Sequence, residues 1–196
     1  MEQNFPQPPN FRIVVGISGA SGSIYGWRLL ERLRERPGVE THLILTRLGE
    51  RTALLEMGKR AEEFRALATH WHPLHHLGSP LASGSFPTHG MVIAPCSVNT
   101  MSAIAYGITS NLLLRAADVT LKERRKLILL IRETPLHTGH LRTMLRLALM
   151  GAVIMPPIPA FYHRPQTVMD IVDHSIDRVL DLLGIPNPEA KRWQGG

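Results

Sequence analysis

Cysteine is nearly missing from this sequence, since Cys96 is the single one among 196 residues. One thiol forms neither an intrachain disulfide nor a zinc site made of several cysteines, and such sparse cysteine favours the reducing cytoplasm. Long apolar runs are missing as well, because no stretch reaches the roughly 18 residues of a membrane-spanning helix. The first residues lack the basic and apolar segments of a signal peptide, so we predict a cytoplasmic protein without a membrane span.

The sequence also lacks a concentrated block of positive charge, although lysine and arginine together outnumber the acidic residues by 22 to 16. The densest basic run, residues 122–126, is short, and no aromatic-basic motif typical of RNA-binding modules accompanies it. We therefore predict no nucleic-acid partner. For some of the arginines, binding of a small anionic ligand is a better explanation than a solvated basic face.

A strand-like apolar run followed by a turn and a helix-like stretch recurs along the chain. The apolar runs are residues 12–18, 41–46, 91–95, 126–132 and 152–156. Strands that are apolar on both faces and alternate with helices are typical of a parallel sheet covered on both sides. The pattern predicts an α/β fold with a single open parallel sheet sandwiched by helices, Rossmann-like or flavodoxin-like. We predict a loose arm over residues 1–10, a single domain over 11–196 and a final helix over 168–183.

Histidines concentrate within residues 58–88, where the weaker pattern predicts a helix followed by an irregular loop. His70, His72, His75 and His76 lie in the second half of this segment. A metal site needs converging ligands, and neither a cysteine nor a pair of acids lies nearby in the sequence. We therefore interpret the histidines as part of a solvated loop and predict no metal.

In open α/β sheets, ligands bind beyond the carboxyl ends of the strands, where turns lead into helices. The turn after the first apolar run is rich in small residues: Gly16, Ser18, Gly19, Ser21, Gly22 and Ser23. Glycines let the backbone approach a ligand, and hydroxyls at a helix start suit a nucleotide phosphate. The spacing matches neither common phosphate-loop motif, so a tight turn of small residues is an equally good interpretation.

Two later turns carry more polar residues than capping requires. Ser97, Asn99 and Thr100 follow a buried run, and a helix cap explains one of these residues but not three. Arg132 and Glu133 end another run, where they either pair with each other or bind phosphate and move a proton. The position at a strand end favours the functional alternative.

The remaining candidates are weaker on the residues alone. Thr46 and Arg47 after the second run are explained by a helix cap and a surface arginine. Tyr162 lies in a proline-rich loop, where binding of an anion and packing of an aromatic ring are equally plausible. Cys96 is either a nucleophile or a small core residue, and its place at a buried strand end favours the core.

Four segments together resemble the flavin prenyltransferase family of the UbiX type. They are GISGASGSIYGWRLL (16–30), ASGSFPTHGMVIAPCS (82–97), NLLLRAADVTLKERRKLILLIRETPLHTGHL (111–141) and FYHRPQ (161–166). Residues 116–137 carry the motif that is specific to this family. The motifs GASG and CSVNT are shared with the wider group of flavin-binding cysteine decarboxylases. The resemblance spans nearly the whole chain, from Arg12 to Trp193.

The resemblance implies transfer of a dimethylallyl group from dimethylallyl phosphate to nitrogen 5 and the adjacent ring carbon of reduced FMN, giving prenylated FMN without a metal. The residues implied to bind FMN are Gly19, Ala20, Ser21, Thr46, Ser97, Val98, Asn99, Thr100 and Arg132. Those implied to bind the prenyl phosphate are Arg115, Lys122, Arg132, Tyr162, Arg178 and Trp193. The implied catalytic residues are Ser21, Glu56, Lys122 and Glu133, with Glu133 and Ser21 as a proton relay.

The family also implies a homo-oligomer, up to a dodecamer, with sites shared across subunit contacts and a UbiD-type decarboxylase that receives the product. Two departures stand out. Thr46 and Arg47 replace the more usual serine and lysine, which keeps hydroxyl and charge. Leu77 takes a position where the family commonly has tryptophan, which bears on the preferred prenyl donor. An FMN-dependent cysteine decarboxylase and a non-catalytic flavin carrier are the alternative functions.

Overall fold

The computed structural model describes residues 11–193 and 195, so the predicted arm over residues 1–10 lies outside it. The described residues form six strands: β1 Phe11–Ile17, β2 Val39–Leu45, β3 His70–Trp71, β4 Gly90–Cys96, β5 Lys126–Ile131 and β6 Val153–Ile154. They form one sheet in the order β3-β2-β1-β4-β5-β6, and every neighbouring pair is parallel. The predicted open parallel α/β sheet is confirmed.

The helices are α1 Ser23–Arg34, α2 Arg47–Met57, α3 Ala61–Leu67, α4 Val98–Ala105, α5 Leu112–Lys122, α6 Thr138–Leu149 and α7 Val168–Leu183. The bounds of α7 match the predicted final helix. Periodicity did not predict α5, because buried residues occupy more than one of its faces. Within the described part of the chain, no helix has both the length and the apolar character needed to cross a bilayer.

The central strands are buried on both faces, which explains their nearly continuous apolar runs. Along β1, Ile13 and Val15 pack into one core with residues of α1, α2, α3 and α7. Val14, which points to the other face, packs into a second core with residues of α4, α5 and α6. The two cores hold the sheet rigid, so the turns at its carboxyl edge have fixed positions.

Residues 58–88 contain the predicted helix as α3, but the segment after this helix is not only an irregular loop. After α3, the residues His70 and Trp71 form β3, which pairs with β2 at the edge of the sheet. A two-residue exposed strand shows no apolar alternation, so the sequence pattern does not reveal it. His72 is only partly exposed, in contrast to the expected solvated loop. Its burial, together with the nearby histidines, lowers its pKa to about 4.

Candidate functional site

The carboxyl edge of the sheet contains a pocket of about 530 Å³ next to the ends of β1 and β4. After β1, the chain continues to β2 and β3 on one side of β1, whereas β4, β5 and β6 lie on the other side. The strand order therefore reverses between β1 and β4, which makes this position a topological switch point. Ligands of open α/β sheets bind at such points, and this volume lies within the range of small-molecule sites. The fold therefore places the pocket where a nucleotide is expected.

Every residue that the resemblance assigned to FMN lines this pocket. These residues are Gly19, Ala20, Ser21, Thr46, Ser97, Val98, Asn99, Thr100 and Arg132. Glu133 lines it as well. Sequence reasoning missed six other lining residues: Leu48, Leu74, His75, Asn111, Leu113 and Leu114. Leu48 lies in the first turn of α2, and the others come from the segment after β3 and the start of α5, where no local pattern indicates a contact with the pocket.

Hydrogen bonds fix the two turns at the switch point against each other. Ser18 Oγ donates to the carbonyl of Pro95 at 2.9 Å and accepts from the backbone N–H of Ser97 at 2.8 Å. A Cβ at Gly19 would lie 2.3 Å from the Cβ of Leu48, so this turn requires glycine there. The small residues thus make a tight turn and also leave the pocket open on that side.

The amino terminus of α1 is occupied by a side chain of the protein itself. Gly22 caps this helix with a φ of 100°, which favours glycine. The Glu56 carboxylate accepts from the backbone N–H groups of Gly22 and Ser23, each at 3.0 Å. Partial burial alone would raise the Glu56 pKa, but hydrogen bonds from the Ser21 side chain and from these two N–H groups lower it overall. These donors are therefore taken by Glu56 and are not free for a phosphate.

The free donors lie instead at the start of α4 and at Arg132. Ser97 caps α4 by accepting from Thr100 N at 3.2 Å, while the first N–H groups of a helix have no intrahelical acceptor. Arg132 Nε is buried and has no hydrogen-bond partner among the described residues. A buried unpaired guanidinium N–H is costly unless a ligand satisfies it. This donor set fits an anionic nucleotide such as FMN.

Glu133 is the acid nearest to these donors in the sequence, and it does not pair with Arg132. Among the ion pairs of the described residues, none joins the two side chains. The Glu133 carboxylate accepts from the backbone N–H of Thr134 at 3.0 Å. The alternative in which Arg132 and Glu133 neutralise each other is therefore not what the structure shows.

Arg115 and Lys122, both assigned to the prenyl phosphate, lie on α5 away from the pocket. Arg115 donates to the carbonyl of Ala82 at 3.1 Å and pairs with Asp118 at 2.7 Å. Lys122 pairs with Glu123. Lys122 is eight residues beyond Leu114, the last pocket residue of the helix, which corresponds to about 12 Å along its axis.

Tyr162, Arg178 and Trp193 form a third group, around a cavity of about 260 Å³ beside α7. The Tyr162 hydroxyl lies 2.6 Å from His174 Nε2, and the rings of Tyr162 and Trp193 meet edge to face with centroids 5.7 Å apart. Arg178 pairs with Asp181 at 2.8 Å. A single chain thus brings the FMN residues together, Arg132 among them, and leaves the other prenyl-phosphate residues on two other surfaces.

Cys96 takes no part in the pocket surface. Its side chain is completely buried at the end of β4, and burial raises the pKa of its thiol. A buried neutral thiol is a poor nucleophile. The interpretation of Cys96 as a small core residue is confirmed.

Comparison with known proteins decides the family. Residues 4–180 match the model of the Flavoprotein family. The chain is 53% identical over 186 residues to the flavin prenyltransferase UbiX of Salmonella typhimurium, covering 94% of this chain and 98% of that protein. The chain belongs to the UbiX family of flavin prenyltransferases. The resemblance found in the four sequence segments is confirmed.

Solved structures of UbiX-like proteins share the fold in detail. A dodecameric FMN-dependent UbiX-like decarboxylase from Escherichia coli O157:H7 superposes with a TM-score of 0.92 at 47% identity, covering 94% of this chain and 100% of that one. The structure of AnUbiX (PadA1) in complex with FMN and dimethylallyl pyrophosphate gives the same TM-score of 0.92 at 43% identity, covering 95% and 98%. The pocket described above thus belongs to a UbiX-type fold.

Proposed function

We propose that this protein transfers a dimethylallyl group from dimethylallyl phosphate to reduced FMN and releases prenylated FMN. The observation that carries the proposal is the pocket at the switch point, whose buried Arg132 Nε lacks a partner in the described chain. The similar structure of AnUbiX contains FMN and dimethylallyl pyrophosphate together. Relatives that are 53% identical to this chain are named flavin prenyltransferases. Reduced FMN, when bound, supplies the nucleophilic nitrogen of the reaction.

The pocket residues hold the nucleotide through two kinds of contact. The N–H groups at the start of α4 and the Arg132 guanidinium bind its anionic groups, because both are donors without internal acceptors. Gly19 and Ala20 leave room for close approach on the side of the first turn. Thr46 caps α2 through its Oγ, which accepts from Gly49 N at 3.0 Å, and so its position in the pocket wall is fixed.

Proton movement is assigned to the acids beside the pocket. Glu133 and Ser21 both line it, which keeps the predicted relay between them available. The Ser21 side chain contributes to the lowered pKa of Glu56, which places Glu56 close enough to influence the orientation of that hydroxyl. Glu133 then accepts a proton or passes one to the departing phosphate.

The departing phosphate is stabilised by cations and a tyrosine hydroxyl contributed across subunit contacts. Lys122, Arg115, Arg178 and Tyr162 lie outside the pocket of their own chain, so we propose that they reach the pocket of neighbouring copies. The dodecameric relative supports an oligomer of this kind. Cations near the leaving group lower the barrier because negative charge grows there as the carbon–oxygen bond breaks. Trp193 offers an aromatic face to the allylic cation.

The decisive experiment is anaerobic incubation of the purified protein with reduced FMN and dimethylallyl phosphate. We expect phosphate release and a flavin heavier by one prenyl unit. Glu133→Gln and Lys122→Ala should each lower kcat about 100- to 1,000-fold while FMN stays bound. Arg34→Ala, at the end of α1 far from the carboxyl edge, is the matched control and should leave turnover unchanged. Bound FMN without phosphate release would instead support the flavin carrier.

The recipient and location of the product are proposed from the resemblance alone. A UbiD-type decarboxylase should consume the prenylated FMN in the cytoplasm. Adding the reaction mixture to such a decarboxylase purified without cofactor should restore its activity, and omitting dimethylallyl phosphate should abolish this effect. Restoration by unmodified FMN alone would contradict the proposal.

A further inference from the structure

The outer edge of the sheet carries a group of titratable residues that the flavin pocket does not use. Arg12 on β1 is in register with Glu40 on β2, and His42 on β2 is in register with His70 on β3. Register partners face the same side of a sheet, as do residues two apart along a strand. The four side chains therefore project from one face, although 58 positions separate Arg12 from His70 in the sequence.

Glu40, His42 and His70 bring three potential metal ligands to one point. His42 Nε2 lies 2.7 Å from Glu40 Oε1, and His70 Nε2 lies 3.5 Å from the same oxygen. The three ligand atoms all lie within 4.8 Å of one another. Two imidazoles and one carboxylate form the donor set of many open zinc sites, which leave a fourth position to water. Tetrahedral ligands at about 2 Å from an ion lie about 3.3 Å from one another. The two measured separations, 2.7 and 3.5 Å, lie on either side of that value.

Contacts behind the ligands fix the ring of His42. Its Nδ1 lies 2.9 Å from His72 Nε2, and His72 Nδ1 lies 2.9 Å from Ser79 Oγ. With a metal on His42 Nε2, the His42 Nδ1–H donates to His72, and the His72 Nδ1–H donates to Ser79. Such outer hydrogen bonds orient histidine ligands in metalloproteins. The same chain of contacts accommodates the tautomer that metal binding requires.

The surroundings restrict the site on its remaining sides. His42 is buried, and Phe86 packs edge to face against its ring with centroids 5.4 Å apart. Arg12 forms a two-point pair with Glu40, with both N–O distances 3.2 Å. This pair reduces the negative charge of the carboxylate but fixes its plane, and each carboxylate oxygen accepts more than one bond. Oε1 therefore keeps a lone pair for a metal despite Arg12.

We propose that Glu40, His42 and His70 bind one divalent first-row cation, with Zn²⁺ as the best match. Zn²⁺ has no strong geometric preference and accepts both nitrogen and oxygen ligands. The site lies at the β2–β3 edge and is separate from the residues that line the flavin pocket. It ties the short edge strand to the body of the sheet.

The test is a zinc titration of tag-free protein that has been treated with EDTA and dialysed. Calorimetry should show one tight site per chain, and Co²⁺ should give the absorption bands of a tetrahedral site. His70→Ala should weaken Zn²⁺ binding more than about 100-fold, because it removes a ligand rather than an outer contact. The His70 side chain is half exposed, so this variant is expected to fold. His76→Ala, an exposed neighbour outside the cluster, is the matched control and should bind as the wild type does.

Thermal unfolding gives a second readout. Zn²⁺ should raise the midpoint temperature of unfolding for the wild type and for His76→Ala. It should not raise that of His70→Ala, because a ligand stabilises only a folded state that binds it. If His70→Ala proves unfolded without metal, His70→Gln replaces it. A wild type without a stoichiometric site, or equal binding by His70→Ala, overturns the proposal. Equal binding would assign the ion elsewhere, for instance to the stacked His137 and His140.

Discussion

The FMN residues and the prenyl-phosphate residues differ in how completely one chain assembles them. All assigned FMN residues line one pocket, and Arg132 there has a buried Nε without a partner in the described chain. Arg115, Lys122 and Arg178 instead lie on two other surfaces and pair with acids of their own chain. The first group follows from the parallel sheet, which gathers strand ends at one edge. We propose that the second group acts on the pockets of other copies of the chain, which makes its function depend on assembly.

The largest expected effect that separates the two groups concerns FMN affinity. Arg132→Ala removes the buried cation of the pocket and should weaken FMN binding about 100-fold, or about 3 kcal/mol. Arg178→Ala removes an exposed cation of the other group and should leave the FMN Kd nearly unchanged. Quenching of flavin fluorescence measures both. Equal loss of FMN affinity in the two variants would show that Arg178 also binds FMN and that the separation of the two groups of residues is wrong.

Mixing of inactive variants tests the assembly itself. Lys122→Ala chains keep Glu133, and Glu133→Gln chains keep Lys122, so a mixed contact can contain both intact residues. Random co-assembly in equal amounts should restore about a quarter of wild-type turnover if two chains contribute to each site. Separately purified variants, assayed without exchange, are the control. No recovery in the mixed oligomer would mean that one chain supplies both residues.

The site residues that sequence could predict are those attached directly to strand ends. Ser97, Asn99 and Thr100 follow a buried strand, and Arg132 follows another, so parallel pairing alone brings them together. Leu74 and His75 also reach the pocket, but from a segment without periodicity, and only the tertiary structure shows this contact. Local pattern carries no information on which surface a loop covers.

The cluster at the β2–β3 edge was still harder to predict from the sequence. Neither a cysteine nor a pair of acids lies near the histidine-rich segment in the sequence, so the sequence alone predicted no metal there. In the fold, β3 pairs with β2 and places Glu40 and His42 beside His70. A strand of two exposed residues cannot be read from hydrophobic alternation, so this register was not predictable. The central strands were predictable because burial on both faces makes them continuously apolar.

A smaller effect is expected where the pocket edge meets the start of α1. Glu56→Gln removes a charge that α1 holds at its amino terminus and should cost about 1 kcal/mol of stability at pH 7. The folded-state pKa of Glu56 is lowered, so its contribution is complete above its unfolded pKa near 4.5 and is lost as pH falls through the folded value. Denaturant unfolding should therefore show a difference in the free energy of unfolding between wild type and variant at neutral pH. This difference should disappear in acid.

The control for this prediction is Glu62→Gln on α3, an exposed acid that should change stability little at either pH. If the loss of stability in Glu56→Gln persisted at low pH, the Glu56 side chain would stabilise the fold through its packing and not through its charge. FMN affinity should change much less than in Arg132→Ala, because Glu56 holds the turn rather than lining the pocket.

The smallest effect on turnover is expected at Cys96, which lies directly before the pocket turn after β4 but is buried in the core. Cys96→Ala should cost about 1 kcal/mol of stability and leave prenyl transfer unchanged, because the pocket uses the turn after Cys96 and not its thiol. Since burial raises the thiol pKa, a thiol reagent should modify the native protein only after unfolding. Reaction rates in buffer and in denaturant measure this directly. Rapid modification of the native protein with loss of turnover would instead assign the thiol to the chemistry, as a cysteine nucleophile requires.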